Sequence, residues 1–130
     1  SGIFRPLQEA ATTAMSTNPE WIADRNQVYE ERLELLAEAL RGIGLEAHRP
    51  QATLYLWTRI PNDLTEDSWT SEGFARTLLE KTGIAVAPGP FFGPAGEGFV
   101  RVSATAPTAQ IEEARRRLRA FELPSLPVDD

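Results

Sequence analysis

The sequence predicts an α+β fold. It is a two-layer sandwich in which a small, mostly antiparallel, three-stranded sheet is packed by helices, in the order ααβαββα. Short runs rich in strand formers lie at 52–59, 84–87 and 99–103. Segments with apolar residues at helical spacing flank and separate them. Pro, Gly and Asn mark the breaks between the two kinds of run.

Residues 4–16 read as a first helix, with Pro6 in the first turn where a missing N–H costs nothing. Asn18 and Pro19 break the chain and start a long helix that runs to about Gly42. Its stripe is Tyr29, Leu33, Leu36, Leu40 and Ile43, alternating steps of four and three. Gly42 and Gly44 are candidate C-caps. These two helices hold much of the chain, and few later elements can cover them. The long helix is therefore expected to pack partly on something outside the sequence.

"ATLYLWTR", residues 52–59, follows as a strand that is apolar on both faces. A polar loop leads to a helix over roughly 69–82 that packs through Phe74, Leu78 and Leu79 and stops at Gly83. "IAVA", 84–87, is a short strand, and "FVRVS", 99–103, is the last one. Pro107 and Thr108 open a final helix with Ile111, Ala114, Leu118 and Phe121 on one face. A Pro-rich tail, 123–130, is expected to be extended or frayed.

The 130 residues suit one domain with a modest core, and their 42% hydrophobic and 25% charged content is ordinary for a globular chain. No apolar run nears the ~18 residues of a membrane helix. The first ten residues lack the basic-then-apolar pattern of a secretory signal. Cys is absent, which excludes disulfides and thiolate metal sites and fits the cytoplasm. A net charge of −6 with scattered acids argues against a nucleic-acid partner. The one basic run, Arg115 to Arg119, reads as a solvated helix end.

Of 13 basic residues only Lys81 is a lysine. Schiff-base chemistry thus has a single candidate, yet Lys81 sits in a last helical turn, where a cation serves the helix dipole. His48 is the one histidine, and no carboxylates stand at ligand spacing around it. Glu30/Glu31 and Glu112/Glu113 lie on helices as solvated pairs. "GPFFGPAGEG" is glycine-rich, but it joins two strands and no Lys-Ser/Thr follows, so a hairpin-like connection fits better than a phosphate cradle.

Arg101 is different. Strand alternation puts Phe99, Arg101 and Ser103 on one face, with Val100 and Val102 on the other. A guanidinium among apolar neighbours needs a carboxylate or phosphate. That partner is either internal, such as Glu97 or Glu72, or the carboxylate of a ligand. Composition weighs the two alike.

"LLEKTGIAVAPGPFFGPAGEGFVRVSATAPTAQIEEARRRL" strongly resembles the C-terminal part of class I/II aminotransferases of fold type I, which use pyridoxal phosphate. "RNQVYEERLELLAEALRGIGLEAHRPQATLYLW" resembles that family's long helix and first small-domain strand. "SGIFRPLQEAA" resembles the segment after the cofactor lysine in the LL-diaminopimelate and succinyl-diaminopimelate aminotransferases. The likeness spans residues 1 to about 121. It implies an N-terminal helical segment at 1–18, the small domain at 19–122 and a tail at 123–130. It also implies that Arg101 pairs with the α-carboxylate of an amino-acid or keto-acid substrate.

The resemblance further implies that the Schiff-base lysine, the aspartate facing the pyridine nitrogen and most of the phosphate cup lie upstream of residue 1. Lys81 does not match that lysine. The chain is therefore expected to lack the large domain, to hold no pyridoxal phosphate and to be inactive alone. The intact parent is expected to be a cytoplasmic homodimer in amino-acid biosynthesis. "APGPFFGPAGEG" would be a rim loop near the entrance, and Tyr55 and Phe92 either line that region or serve the core. The alternative is a stand-alone module of the same fold that binds a small carboxylate or a protein.

Overall fold

The structure is a computed structural model, and it describes residues 2–61 and 70–122. Helix α1 spans Arg5–Met15 and α2 spans Pro19–Gly42. Strands β1, Glu46–Ala47, and β2, Tyr55–Arg59, follow. Then come α3, Ser71–Thr82, β3, Ala87–Pro88, β4, Phe99–Ser103, and α4, Thr108–Arg119. The predicted helix start at 69 and the tail at 123–130 lie outside the described residues.

Local chemistry sets the ends of these elements. The Asn18 side chain accepts the Glu20 N–H at 3.0 Å and caps α2, with Pro19 in its first turn. At the other end the Gly44 N–H bonds the Arg41 carbonyl at 3.0 Å, and Gly44 has a φ of 90° that a side chain would resist. Thr70 caps α3 through the Gly73 N–H at 3.0 Å. Gly83 closes it in the left-handed region, bonding the Leu79 carbonyl at 2.8 Å.

The sheet is antiparallel throughout, in the order β1-β2-β4-β3. In register, Trp57 faces Arg101 across the β2–β4 ladder, and Ala87 faces Arg101 from β3. One face carries Leu56, Thr58, Val100 and Val102, all buried. Helices α2, α3 and α4 cover it with Leu33, Leu36, Leu40, Phe74, Leu78, Ile111 and Leu118. Each fully buried leucine there contributes about 2 kcal/mol relative to exposure. The other face, with Tyr55 and Trp57 from β2 and Phe99 and Arg101 from β4, is open or half-open.

This is the predicted two-layer α+β sandwich, with four corrections of detail. The sheet has four strands; two-residue β1 is too short to show a period. β2 begins at Tyr55 instead of 52, because Thr53 at φ 79° leaves the extended region. β3 pairs only at Ala87–Pro88, while Ile84 and Val86 pack on the core outside the ladder. Leu79 is 48% exposed and turns away from the core that Phe74 and Leu78 enter.

The long helix is split in its environment. Leu33, Leu36, Leu40 and Ile43 are buried, but Trp21, Ile22 and Val28 in its first half are exposed, and α1 buries nothing. Among the described residues no helix is long and apolar enough to cross a membrane.

Candidate functional site

β4 is an inner strand held on both sides, which makes its backbone a rigid platform. Alternation sends Val100 and Val102 into the core and leaves Phe99 and Arg101 on the open face. Arg101 therefore stands on a fixed strand with its head group outside the core. Its guanidinium carbon lies 4.4 Å from the centroid of the Tyr55 ring and 4.4 Å from that of Phe92. Cations over ring faces at this range are attracted by the negative face of the π system.

The two internal partners proposed for Arg101 are engaged elsewhere. The Glu97 carboxylate accepts the Ser71 N–H at the start of α3. The Glu72 carboxylate pairs with Arg76 at 3.0 Å, one helical turn on. Among the described residues Arg101 makes ring contacts and no ion pair or hydrogen bond. Its N–H donors, which suit a planar carboxylate held at two points, have no partner among the described residues.

One ring against Phe92, that of Trp57, was not foreseen. Trp57 lies edge-on to Phe92 at 5.7 Å and stacks on Phe99 at 5.6 Å. The signal for Trp57 was its alternation with Tyr55, but the ladder register was needed to set it opposite Arg101. Phe92 ends the turn Gly89–Phe92, and a second turn, Pro94–Gly96, brings the loop back. Gly89 and Gly96 meet backbone to backbone: a Cβ on Gly89 would sit 1.9 Å from the Gly96 carbonyl oxygen. Only glycine permits that approach. The glycine-rich stretch is thus a closed loop between two strands, as expected, and it carries an aromatic ring to Arg101.

A cleft of about 630 Å³ opens beside Tyr55, between the first half of α2 and residues 49–54. Arg25, Tyr29, Glu30 and Arg49 line it, and Arg49 pairs with Glu30 across it. Thr53, with its positive φ, forms part of the same wall. Tyr55 thus joins this cleft to the Arg101 surface.

The remaining candidates stand apart from this face. His48 is exposed beyond β1. Glu31 accepts from Gln27, and Glu112 and Glu113 pair with arginines of their own helix. The basic run is largely neutralised: Arg115 by Glu112, Arg116 and Arg117 by Glu113, and Arg119 by Glu38. The hydrogen bond from Arg117 holds the Glu113 carboxyl below its ordinary 4.5. Arg117 also donates to the Thr82 carbonyl at the C-terminal end of α3, at 3.2 Å. Arg117 and Arg119 thus tie α4 to α3 and α2.

A pyridoxal phosphate Schiff base needs a lysine amine. The amine such a cofactor needs could come only from Lys81, which is exposed in the last turn of α3 and lines neither the cleft nor the Arg101 surface. Among the described residues no cluster of His, Asp and Glu could hold a metal ion.

Comparison with known proteins adds the family. The family model described as aminotransferase class I and II matches residues 2–118. An LL-diaminopimelate aminotransferase of Dehalococcoides mccartyi is 41% identical over 122 residues, which are 94% of this chain and 30% of that protein. One of Aquifex aeolicus is 37% identical over 123 residues, 95% of this chain and 30% of that protein. Among solved structures, substrate-bound BacF from Bacillus subtilis matches with a TM-score of 0.79 and 33% identity, over 96% of this chain and 32% of that one. A probable N-succinyldiaminopimelate aminotransferase from Thermus thermophilus matches with a TM-score of 0.69 and 39% identity, over 83% of this chain and 27% of that one. The chain thus spans about 30% of the length of the curated relatives it matches.

Proposed function

Since the chain belongs to the class I and II aminotransferases, we propose that residues 19–122 are the small domain of such an enzyme and that Arg101 receives the substrate α-carboxylate. The parent enzyme moves an amino group between an amino acid and a 2-keto acid. The likeness to LL-diaminopimelate aminotransferases favours a diaminopimelate-type substrate and a role in amino-acid biosynthesis. Pyridoxal phosphate supplies the amino-transfer chemistry, held by a large domain outside residues 1–130. Support for that division comes from the share of the relatives that the chain spans and from the exposed position of Lys81. The parent is a homodimer in the cytoplasm, and the 130-residue chain alone is inactive.

The observation that carries the reading is the state of Arg101. It is fixed on an inner strand, lies against two rings, and spends no donor on a carboxylate among the described residues. A guanidinium so placed contributes orientation: two parallel N–H···O bonds fix a carboxylate in the fork plane, and the rest of the amino acid with it. Lysine would offer a point charge without that plane.

Steady-state kinetics of the intact enzyme test this. Arg101→Lys is expected to lower kcat/KM by about two orders of magnitude for every amino donor, the cost of losing a charge-assisted bidentate pair. A kcat/KM within a factor of about two of wild type would overturn the anchor role. Borohydride reduction of the 130-residue chain with pyridoxal phosphate tests the division of labour. No stoichiometric adduct is expected, and one at Lys81 would refute it.

A further inference from the structure

An arginine on an open sheet face samples many rotamers, and ordering it on binding reduces affinity. An internal carboxylate could order it, but only by occupying the donors a ligand needs. Arg101 is restrained in another way. Tyr55 lies diagonally across the β2–β4 ladder, opposite Ser103, and its ring centroid is 4.4 Å from the guanidinium carbon. Phe92 reaches the same carbon, also at 4.4 Å, from a separate loop. That loop is fixed by the Gly89–Gly96 backbone contact and by the edge of Trp57 against Phe92.

Ring faces attract the cation without accepting its N–H groups as a carboxylate would. Contact with a ring therefore restricts the guanidinium and leaves its in-plane donors available. Both rings are well exposed, Tyr55 at 36% and Phe92 at 51%, so core packing does not account for their placement.

We propose that Tyr55 and Phe92 are positioning residues that pre-orient the Arg101 guanidinium, so that its donor edge is presented before substrate arrives. The proposal rests on Arg101 as the carboxylate anchor. The ring is the working part at both places. Phenylalanine should serve at 55 and tyrosine at 92, whereas leucine, of similar bulk but without a π face, should not.

Two measurements test it. In the ligand-free chain, ¹⁵N relaxation of the Arg101 Nε–H reports its order, with the backbone amides of β4 as the rigid reference. The order parameter is expected near that of rigid backbone, ~0.85, and to fall below ~0.6 in Tyr55→Leu and in Phe92→Leu. In the intact enzyme the same leucine variants are expected to lose about tenfold in kcat/KM, mostly through KM, with Tyr55→Phe and Phe92→Tyr recovering most of the loss. Amide spectra of the leucine variants establish that the fold persists.

An Arg101 Nε–H order parameter below ~0.6 in the wild type would overturn the proposal. So would leucine variants that keep both order and KM. If Arg101→Lys leaves kcat/KM unchanged while the leucine variants still lose order, the anchor reading itself falls, and the catalytic meaning of the positioning falls with it.

Discussion

The Ser71 N–H donates to the Glu97 carboxylate at 2.7 Å, and in return the Ser71 hydroxyl accepts from the two residues that follow Glu97, Gly98 at 2.8 Å and Phe99 at 3.2 Å. A carboxylate at the first turn of α3 also meets the positive end of the helix dipole. The exchange bolts the start of β4, two residues before Arg101, to the start of α3.

Ser71→Ala removes the hydroxyl from a fully buried position and leaves the Gly98 and Phe99 N–H groups without that acceptor. A loss of about 3 kcal/mol is expected in urea denaturation, from orphaned main-chain donors. Glu97→Gln keeps an acceptor and loses only charge, so about 1 kcal/mol is expected. Equal effects of the two changes would show that the hydroxyl is not the main link.

Arg101→Met should leave the fold nearly as stable as the wild type. Among the described residues no carboxylate depends on Arg101, so no buried charge is stranded. What is lost is cation–π attraction, about 1 kcal/mol for a half-exposed group. A drop above about 3 kcal/mol would mark Arg101 as one half of a structural ion pair.

Leu78→Ala and Leu79→Ala separate the two sides of α3. Leu78 is 0% exposed and Leu79 is 48% exposed. Thermal or chemical unfolding should register about 3 kcal/mol for the first and under about 1 kcal/mol for the second. The reverse order would mean that α3 is rotated from the orientation described.

Gly89→Ala places a Cβ 1.9 Å from a main-chain oxygen of Gly96, which no side-chain adjustment can relieve. The loop must open, carrying Phe92 away from Arg101. Stability should fall by roughly 3 kcal/mol, and the Arg101 Nε–H should lose its ring-current shift. Retention of that shift would show that the loop does not set Phe92.

Acid should act on Glu113. Its carboxyl is held below the ordinary 4.5, chiefly by the hydrogen bond from Arg117. A lowered carboxyl adds stability above the unfolded value and loses it as pH falls through the folded one. The gap in unfolding midpoint between wild type and Glu113→Gln should therefore hold at neutral pH and close below about pH 4.5. A gap that widens toward acid would contradict the pairing.

Much of this was legible in the residues. Helix spacing, capping Asn18 and closing Gly83 each act within one or two turns, so sequence expresses them directly. Alternation alone put Arg101 and Phe99 on one face of β4. Long-range choices were not expressed. Glu97 was a candidate partner for Arg101, but the end of α3 claimed it, and that depends on where the helix starts relative to the loop. Tyr55 and Phe92 could not be told from core residues until the ladder register and the glycine contact brought both to one guanidinium. β1 has too few residues to carry any pattern, and Leu79 fits the helical stripe nearly as well as Leu78 does.

β4 interleaves two duties along its length. Val100 and Val102 belong to the core, while Phe99 and Arg101 belong to the open face. Neighbouring codons therefore answer to different selection. Saturation mutagenesis scored for abundance should flag positions 100 and 102, and the same library scored for growth on enzyme output should add 101. A single strand would give two fitness maps offset by one residue, and a variant's failure in one assay but not the other would say which side of the sheet it had damaged.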